Sequence, residues 1–95
     1  MKALIIDDEK DVCYLLMAIL KQKNLYTACV NRIADAPGAL EKEEPSIVFL
    51  DNHLPDGLGI EFIEYIKQTH PEVKIVMITA EDSTEYKVKA LSKGA

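Results

Sequence analysis

Short unbroken apolar runs alternate along this chain with stretches in which apolar residues recur every three or four positions. Lys2–Ile6 (KALII) is the first run, and Val12, Leu15, Leu16, Ile19 and Leu20 follow it at i, i+3, i+4, i+7 and i+8. That spacing predicts a strand and then an amphipathic helix. Leu25–Val30 (LYTACV) is rich in β-formers and predicts a second strand. The next stretch, NRIADAPGALEKEEPS, carries Pro37 and Gly38 where a helix belongs. Asp35 as N-cap with Pro37 in the first turn allows a short helix ending near Glu43. Ile47–Leu50 reads as a third strand. Leu58–Thr69 places Phe62, Ile63 and Ile66 on one helical stripe and stops at His70-Pro71, where proline blocks continuation. Lys74–Ile78 (KIVMI) is the fourth strand. Asp82 with Glu85 three residues on resembles a capping box, and Val88 and Leu91 supply the inner face of a last helix ending at Gly94.

The order is therefore βαβαβαβα, with strands that are near-continuous apolar runs. Strands of that kind sit in a parallel sheet covered by helices on both faces, an α/β doubly wound, flavodoxin-like architecture with right-handed crossovers. The chain has 95 residues, enough for one domain, and shows no repeats, low-complexity tracts or linkers.

Charge narrows the function classes. A formal net charge of −5 argues against nucleic-acid binding by this segment, which requires clustered Lys and Arg to displace phosphate counterions. Cys13 and Cys29 show neither CxxC spacing nor a matching His pair, so they read as buried free thiols in a reducing compartment. The N-terminal apolar run is too short for a signal peptide and no stretch approaches membrane-spanning length, which predicts a cytoplasmic protein.

In an open parallel sheet, ligands bind at the carboxyl ends of the strands. The residues leaving the strands there are Asp7 and Asp8, Asp51, and Thr79. Each has a structural explanation taken singly: a helix cap, a turn, a half-buried β-branched residue. All of them converge on one edge of the sheet, however. Two carboxylates about 5 Å apart repel by roughly 3 kcal/mol at an effective dielectric near 20, so the cluster holds a proton or a cation. Carboxylate oxygens without His or Cys thiolates suit a hard divalent ion, and Mg²⁺ is the one that keeps waters and accepts a phosphate oxygen. An aspartate beside Mg²⁺ can act as a nucleophile toward a phosphoryl group, with the Thr79 hydroxyl donating to a phosphoryl oxygen. The Pro55-Asp56-Gly57 turn shapes the loop behind Asp51.

IIDDEKDV at Ile5–Val12, VFLDNHLPDGLG at Val48–Gly59, IVMITA at Ile75–Ala80 and LSKGA at Leu91–Ala95, in that order, resemble the receiver domain of bacterial two-component response regulators over essentially the whole chain. The resemblance implies that Asp51 is the phosphoacceptor, taking its phosphoryl group from a sensor histidine kinase. Asp8 and Asp51 would hold Mg²⁺ through their carboxylates and His53 through its backbone carbonyl, with Asp7 in the same acidic site, in contact through water. Thr79 would be the switch residue, with small Ala80 leaving the phosphoryl group accessible, and Pro55 and Gly59 would shape the loop. The output would be a changed surface read by an effector domain or partner protein, with transcription regulation as the downstream process. The domain would be a phosphorylation switch and not an enzyme acting on a metabolite.

The family pattern is departed from in two places. The second helix is short and contains Pro37-Gly38. The receiver assigned to residues 1–95 lacks the fifth strand and helix of an expected (βα)5 array, which in the family carry a phosphoryl-pairing Lys and an aromatic switch residue. None of Lys87, Lys89 and Lys93 stands at that Lys position, and Tyr86 falls within the last helix. The uncovered edge favours self-association. Three other readings compete. The intact acidic set argues against a receiver-like module that binds a partner without phosphorylation, but the absent Lys leaves that reading open. An aspartate-nucleophile phosphohydrolase resembles a D-x-D pattern whose second Asp is here His53. A flavodoxin-like nucleotide binder needs a phosphate-cradling loop after the first strand, where Asp7-Asp8-Glu9 repels phosphate.

Overall fold

The structure, a computed structural model, describes residues 2–78. The expected last helix, its Asp82–Glu85 capping box, Thr79 and Ala80 lie outside the described residues. The elements are β1 (Lys2–Ile6), α1 (Lys10–Gln22), β2 (Tyr26–Val30), a 3-10 turn (Ile33–Asp35), α2 (Ala36–Glu43), β3 (Ile47–Asp51), the short strands β4 (His53–Leu54) and β5 (Gly57–Leu58), α3 (Gly59–Thr69) and β6 (Lys74–Ile78). The long strands form a parallel sheet in the order β2-β1-β3-β6, and β4 pairs with β5 in a separate antiparallel hairpin. This is the doubly wound α/β arrangement that the apolar runs predict.

Sheet register explains why both faces are apolar. Leu4 lies between Ala28 and Val48, and Ile6 between Val30 and Leu50. These side chains share one core with Leu40 of α2 and with Ile60, Ile63 and Ile66 of α3. The alternate residues Ala3 and Ile5 point the other way, against Cys13, Leu16, Met17 and Leu20 of α1, with Ile47 and Phe49 beside them. Period-two alternation thus sends each strand into two cores at once.

Two local readings are corrected. The inward stripe of α1 is buried Cys13 and Leu20 with partly buried Leu16 and Met17, while Leu15 and Ile19 are exposed at 62% and 43%. Both sets satisfy helical spacing; Cys13 and Met17 occupy the side facing Ile5 and Cys29. The cysteines are also not free: the structure joins Cys13 to Cys29 as a disulfide. Their 16-residue separation carries no motif, and only the packing of α1 on β2 brings them together.

Helix ends follow from backbone chemistry. In α1 the chain leaves through Asn24 in the left-handed region (φ 62°), a residue type that tolerates it, while the Lys23 and Leu25 N–H groups donate to the Leu20 carbonyl. The proline-bearing second helix forms as expected, after the 3-10 turn, with Asp35 at its N-cap and Pro37 in the first turn. Asp35 does not cap through its side chain, which instead accepts from Arg32 Nε at 3.0 Å.

Candidate functional site

The carboxyl ends of β1, β3 and β6 open into one pocket. Asp7 follows β1 directly, and its N–H donates to the Val30 carbonyl at 3.1 Å, extending the β1–β2 ladder by one residue. Its carbonyl accepts from Asn31 Nδ2 at 2.9 Å, and its Oδ1 accepts the Glu9 N–H at 2.9 Å. Asp7 is therefore held by strand, loop and the entry to α1, and is only 3% exposed. Asp8 is exposed beside it. Asp51 is the last residue of β3, paired in register with Ile78 of β6.

Asp7, Asp8 and Asp51 each offer a carboxylate oxygen, and these oxygens lie within 4.8 Å of one another. With Glu9, Val12, His53 and Ile78 they line a pocket of about 390 Å³. A larger one, about 510 Å³, lies at the opposite ends of the strands between the α2–β3 and α3–β6 loops. It is lined by Glu44, Pro45, His70, Pro71 and Glu72 among others, and its two carboxylates belong to no metal-competent group of three among the described residues, so size does not identify the site.

The acidic pocket is electrostatically loaded. Asp51 is pushed up to about 6, first by burial and next by the Asp7 charge, against the hydrogen bonds it receives from the His53 and Asn52 backbone. Asp7 is raised as well, first by burial and also by Asp8, against the Glu9 N–H. Carboxylate repulsion alone therefore does not set these affinities for protons. Desolvation by the surrounding strand ends contributes more.

The loop after Asp51 is braced by Asn52, which motif reading passed over, by Asp56 of the expected turn and by Gly59 at the start of α3. Buried Asn52 accepts the Gly59 N–H on its carbonyl at 2.8 Å and the Ile60 N–H on Oδ1 at 3.1 Å. Those are two of the donors left unpaired at the start of α3, so one residue both follows the acidic strand end and seats the next helix. Gly59 is required by proximity, since a Cβ there would overlap the Asp51 carbonyl and approach Leu50 Cγ to 3.0 Å. Asp56, exposed in the turn after Pro55, accepts the Ile33 and Ala34 N–H groups at 2.8 and 2.9 Å and ties this loop to the approach of α2. Those two donors, Ile33 foremost, hold its carboxyl below the usual range. The Asp56-Gly57 pair signals a turn; its distant partners have no local signature.

The sites expected from sequence thus divide. Asp7, Asp8 and Asp51 are brought together, His53 lines the same pocket with its N–H 3.4 Å from Asp51 Oδ1, Pro55 stands in the supporting loop and Gly59 opens α3 against the Asp51 carbonyl. Asn31 and Asn52 are the contributors that sequence reading missed, and for Asp56 it gave the turn but not the bonds to Ile33 and Ala34. The donor set is oxygen alone, which fits a hard divalent cation such as Mg²⁺ and not a thiolate- or imidazole-preferring metal.

A family model described as the response regulator receiver domain matches residues 3–95. The response regulator protein PilR of Pseudomonas aeruginosa is 38% identical over 94 residues, covering 99% of this chain and 21% of that protein. The nitrogen assimilation regulatory protein NtrX of Azorhizobium caulinodans is 39% identical over 97 residues, covering 97% of this chain and 21% of that protein. The chain thus spans about one fifth of the length of these relatives. Among solved structures, that of the beryllofluoride-activated NtrC4 receiver domain dimer superposes with a TM-score of 0.92 at 31% identity, covering 99% of this chain and 78% of that one.

Proposed function

The chain belongs to the response regulator receiver domain family, and we propose that it is a phosphoacceptor switch, with Asp51 receiving a phosphoryl group from a phosphohistidine on a sensor kinase. The observation that carries the reading is the meeting of three carboxylates from two strand ends within 4.8 Å, with Asp51 raised to about 6 among them. Ionised Asp51 Oδ attacks phosphorus as the N–P bond of the donor breaks, leaving an acyl phosphate on Asp51, and the departing imidazole is neutral because its other ring nitrogen carries a proton. Asp8 and Asp51 would hold Mg²⁺ through carboxylates and His53 through its backbone carbonyl, with Asp7 in contact through water. The ion supplies positive charge that lowers the repulsion between these carboxylates and an incoming phosphoryl group.

The chain's own residues orient the reaction. Asp7 is fixed by Val30, Asn31 and Glu9, and the Asn52 bonds to the start of α3 hold the loop behind Asp51. Thr79 would donate its hydroxyl to a phosphoryl oxygen and carry the signal to the surface, with Ala80 leaving room for donor and water. The output surface would be read by an effector domain or partner protein, with transcription regulation as the process it serves. The reading assigns a signalling role in the cytoplasm and no metabolic substrate. No helix among the described residues is long and apolar enough to cross a membrane.

An amide NMR titration with Mg²⁺ tests the cation step. Shifts concentrated at Asp7, Asp8, Asp51 and His53, and weakened in Asp8→Asn, are the expected result. A spectrum unchanged by Mg²⁺, or shifts spread over the exposed acidic residues of α1 and α2, would defeat the assignment and favour a phosphorylation-independent binding module.

A further inference from the structure

Cys13 and Cys29 are not among the clustered carboxylates of the acidic pocket, although Cys13 Sγ lies 3.7 Å from the Asp7 backbone carbonyl. Cys13 stands in the first turns of α1 and Cys29 in β2, with Cα atoms 6.3 Å apart. That separation lies inside the range of about 4.4–6.8 Å that a disulfide spans without backbone movement. A groove of about 190 Å³, lined by Lys10, Tyr14, Met17, Asn31 and the two cysteines, leads to the pair. Cys13 is 4% exposed and Cys29 is only partly buried, so the two sulfurs are unequal in access. Asn31 Nδ2 lies 3.9 Å from each of them and Lys10 brings a cation to the groove wall.

We propose that Cys13 and Cys29 form a reversible thiol–disulfide modification site that exchanges, through this groove, with an anionic low-molecular-weight disulfide of the glutathione class. Starting from the dithiol, Cys29 releases its proton to solvent and its sulfur bonds to one sulfur of the incoming disulfide. The S–S bond of that molecule breaks and one small thiol leaves after taking up a proton. Cys13 then releases its proton, its sulfur attacks the Cys29 sulfur of the mixed disulfide, and the second small thiol leaves in the same way. The protein pair loses two electrons and the external disulfide gains them; excess small thiol reverses both steps. The groove supplies the reasons for the class and the order: Lys10 favours an anionic reagent, Cys29 is the accessible entry sulfur and Cys13 the shielded resolving one. The proposal does not depend on phosphorylation of Asp51.

The test is to equilibrate the reduced chain without oxygen in buffers of varied glutathione and glutathione disulfide, trap free thiols with a maleimide, and weigh the intact protein. Both thiols are expected to disappear together in a monomer, with the bridged fraction following the ratio of glutathione disulfide to the square of glutathione, and to return when glutathione is raised. In Cys13→Ser the reaction should stop at a glutathione adduct on Cys29. Lys10→Glu should slow bridging by about two- to fivefold, the scale of one exposed charge pair, without moving the equilibrium. Thiols that stay free at every ratio, a persistent mixed disulfide in the unsubstituted chain, or bridging between two chains would overturn the proposal. An unchanged rate in Lys10→Glu would overturn the groove as the entry route. The mass of the unsubstituted chain decides the main point even if Cys13→Ser does not fold.

Discussion

Replacing Asp51 by Asn should stabilise the metal-free protein near neutral pH, although it removes the residue most central to the site. The folded protein holds Asp51 at about 6, against 3.8 for an ordinary aspartate. Roughly two pKa units correspond to about 3 kcal/mol for a fully sequestered group. Asp51 is only partly buried, and solvent screening brings the expected effect down to about 1–2 kcal/mol. Because the folded-state value is raised, the folded protein binds the extra proton between pH 3.8 and about 6, and stability falls as pH rises through that window. At pH 7 the cost of holding the charge is fully present, and the neutral amide of Asp51→Asn does not carry it. Thermal and urea unfolding in EDTA should therefore show Asp51→Asn more stable, with each kcal/mol raising Tm by about 4–8 °C for a domain of this size. The advantage should shrink to about a third near pH 4.5, where folded Asp51 is mostly neutral. Saturating Mg²⁺ should shrink it too. If Asp51→Asn is no more stable than the parent at pH 7, or if its advantage is the same at both pH values, the electrostatic cost assigned to Asp51 is wrong.

Other consequences can be checked in the same preparations. Leu40→Ala, at a fully buried contact between α2 and the sheet, should cost about 2–5 kcal/mol in urea unfolding, chiefly from the cavity left behind. Gly59→Ala should cost about 1–3 kcal/mol, because the new Cβ meets the Asp51 carbonyl and the loop behind the site must shift. Asp56→Ala should speed hydrogen exchange at the Ile33 and Ala34 amides while leaving the Leu4 and Val48 amides protected. Since the Asp56 carboxyl is held below its ordinary value, its contribution is present above the usual aspartate range and lost as pH falls, so the two amides should lose protection in the parent on acidification.

The parts of this fold that local pattern could reveal were those in which one rule dominates. KALII and IVFL lie between neighbouring strands with apolar residues on both faces, and KIVMI repeats their pattern, so continuous apolar character marks them as parallel strands without help from distant residues. Pro37 was readable because proline fits only the first turn of a helix, where it is found. The α1 face was not, because two overlapping stripes meet the same periodicity and only the sheet decides between Leu15 and Met17. At the site, Asp7, Asp8 and Asp51 announced themselves by standing at strand ends. Their order of electrostatic causes did not, since desolvation depends on how the strand ends pack. Asn31, Asn52 and Asp56 act across 24, 8 and 23 residues, on backbone groups of other elements. Such pairings leave no local mark, and neither does the Cys13–Cys29 contact.

Whether Asp51 accepts a phosphoryl group in a cation-dependent pocket is best decided by intact-mass and peptide-mapping spectrometry after incubation with Mg²⁺ and acetyl phosphate. One phosphoryl adduct is expected, mapped to Asp51, absent in EDTA and absent in Asp51→Asn. A folded chain that takes no adduct under these conditions, or takes it at another residue, is not the switch proposed.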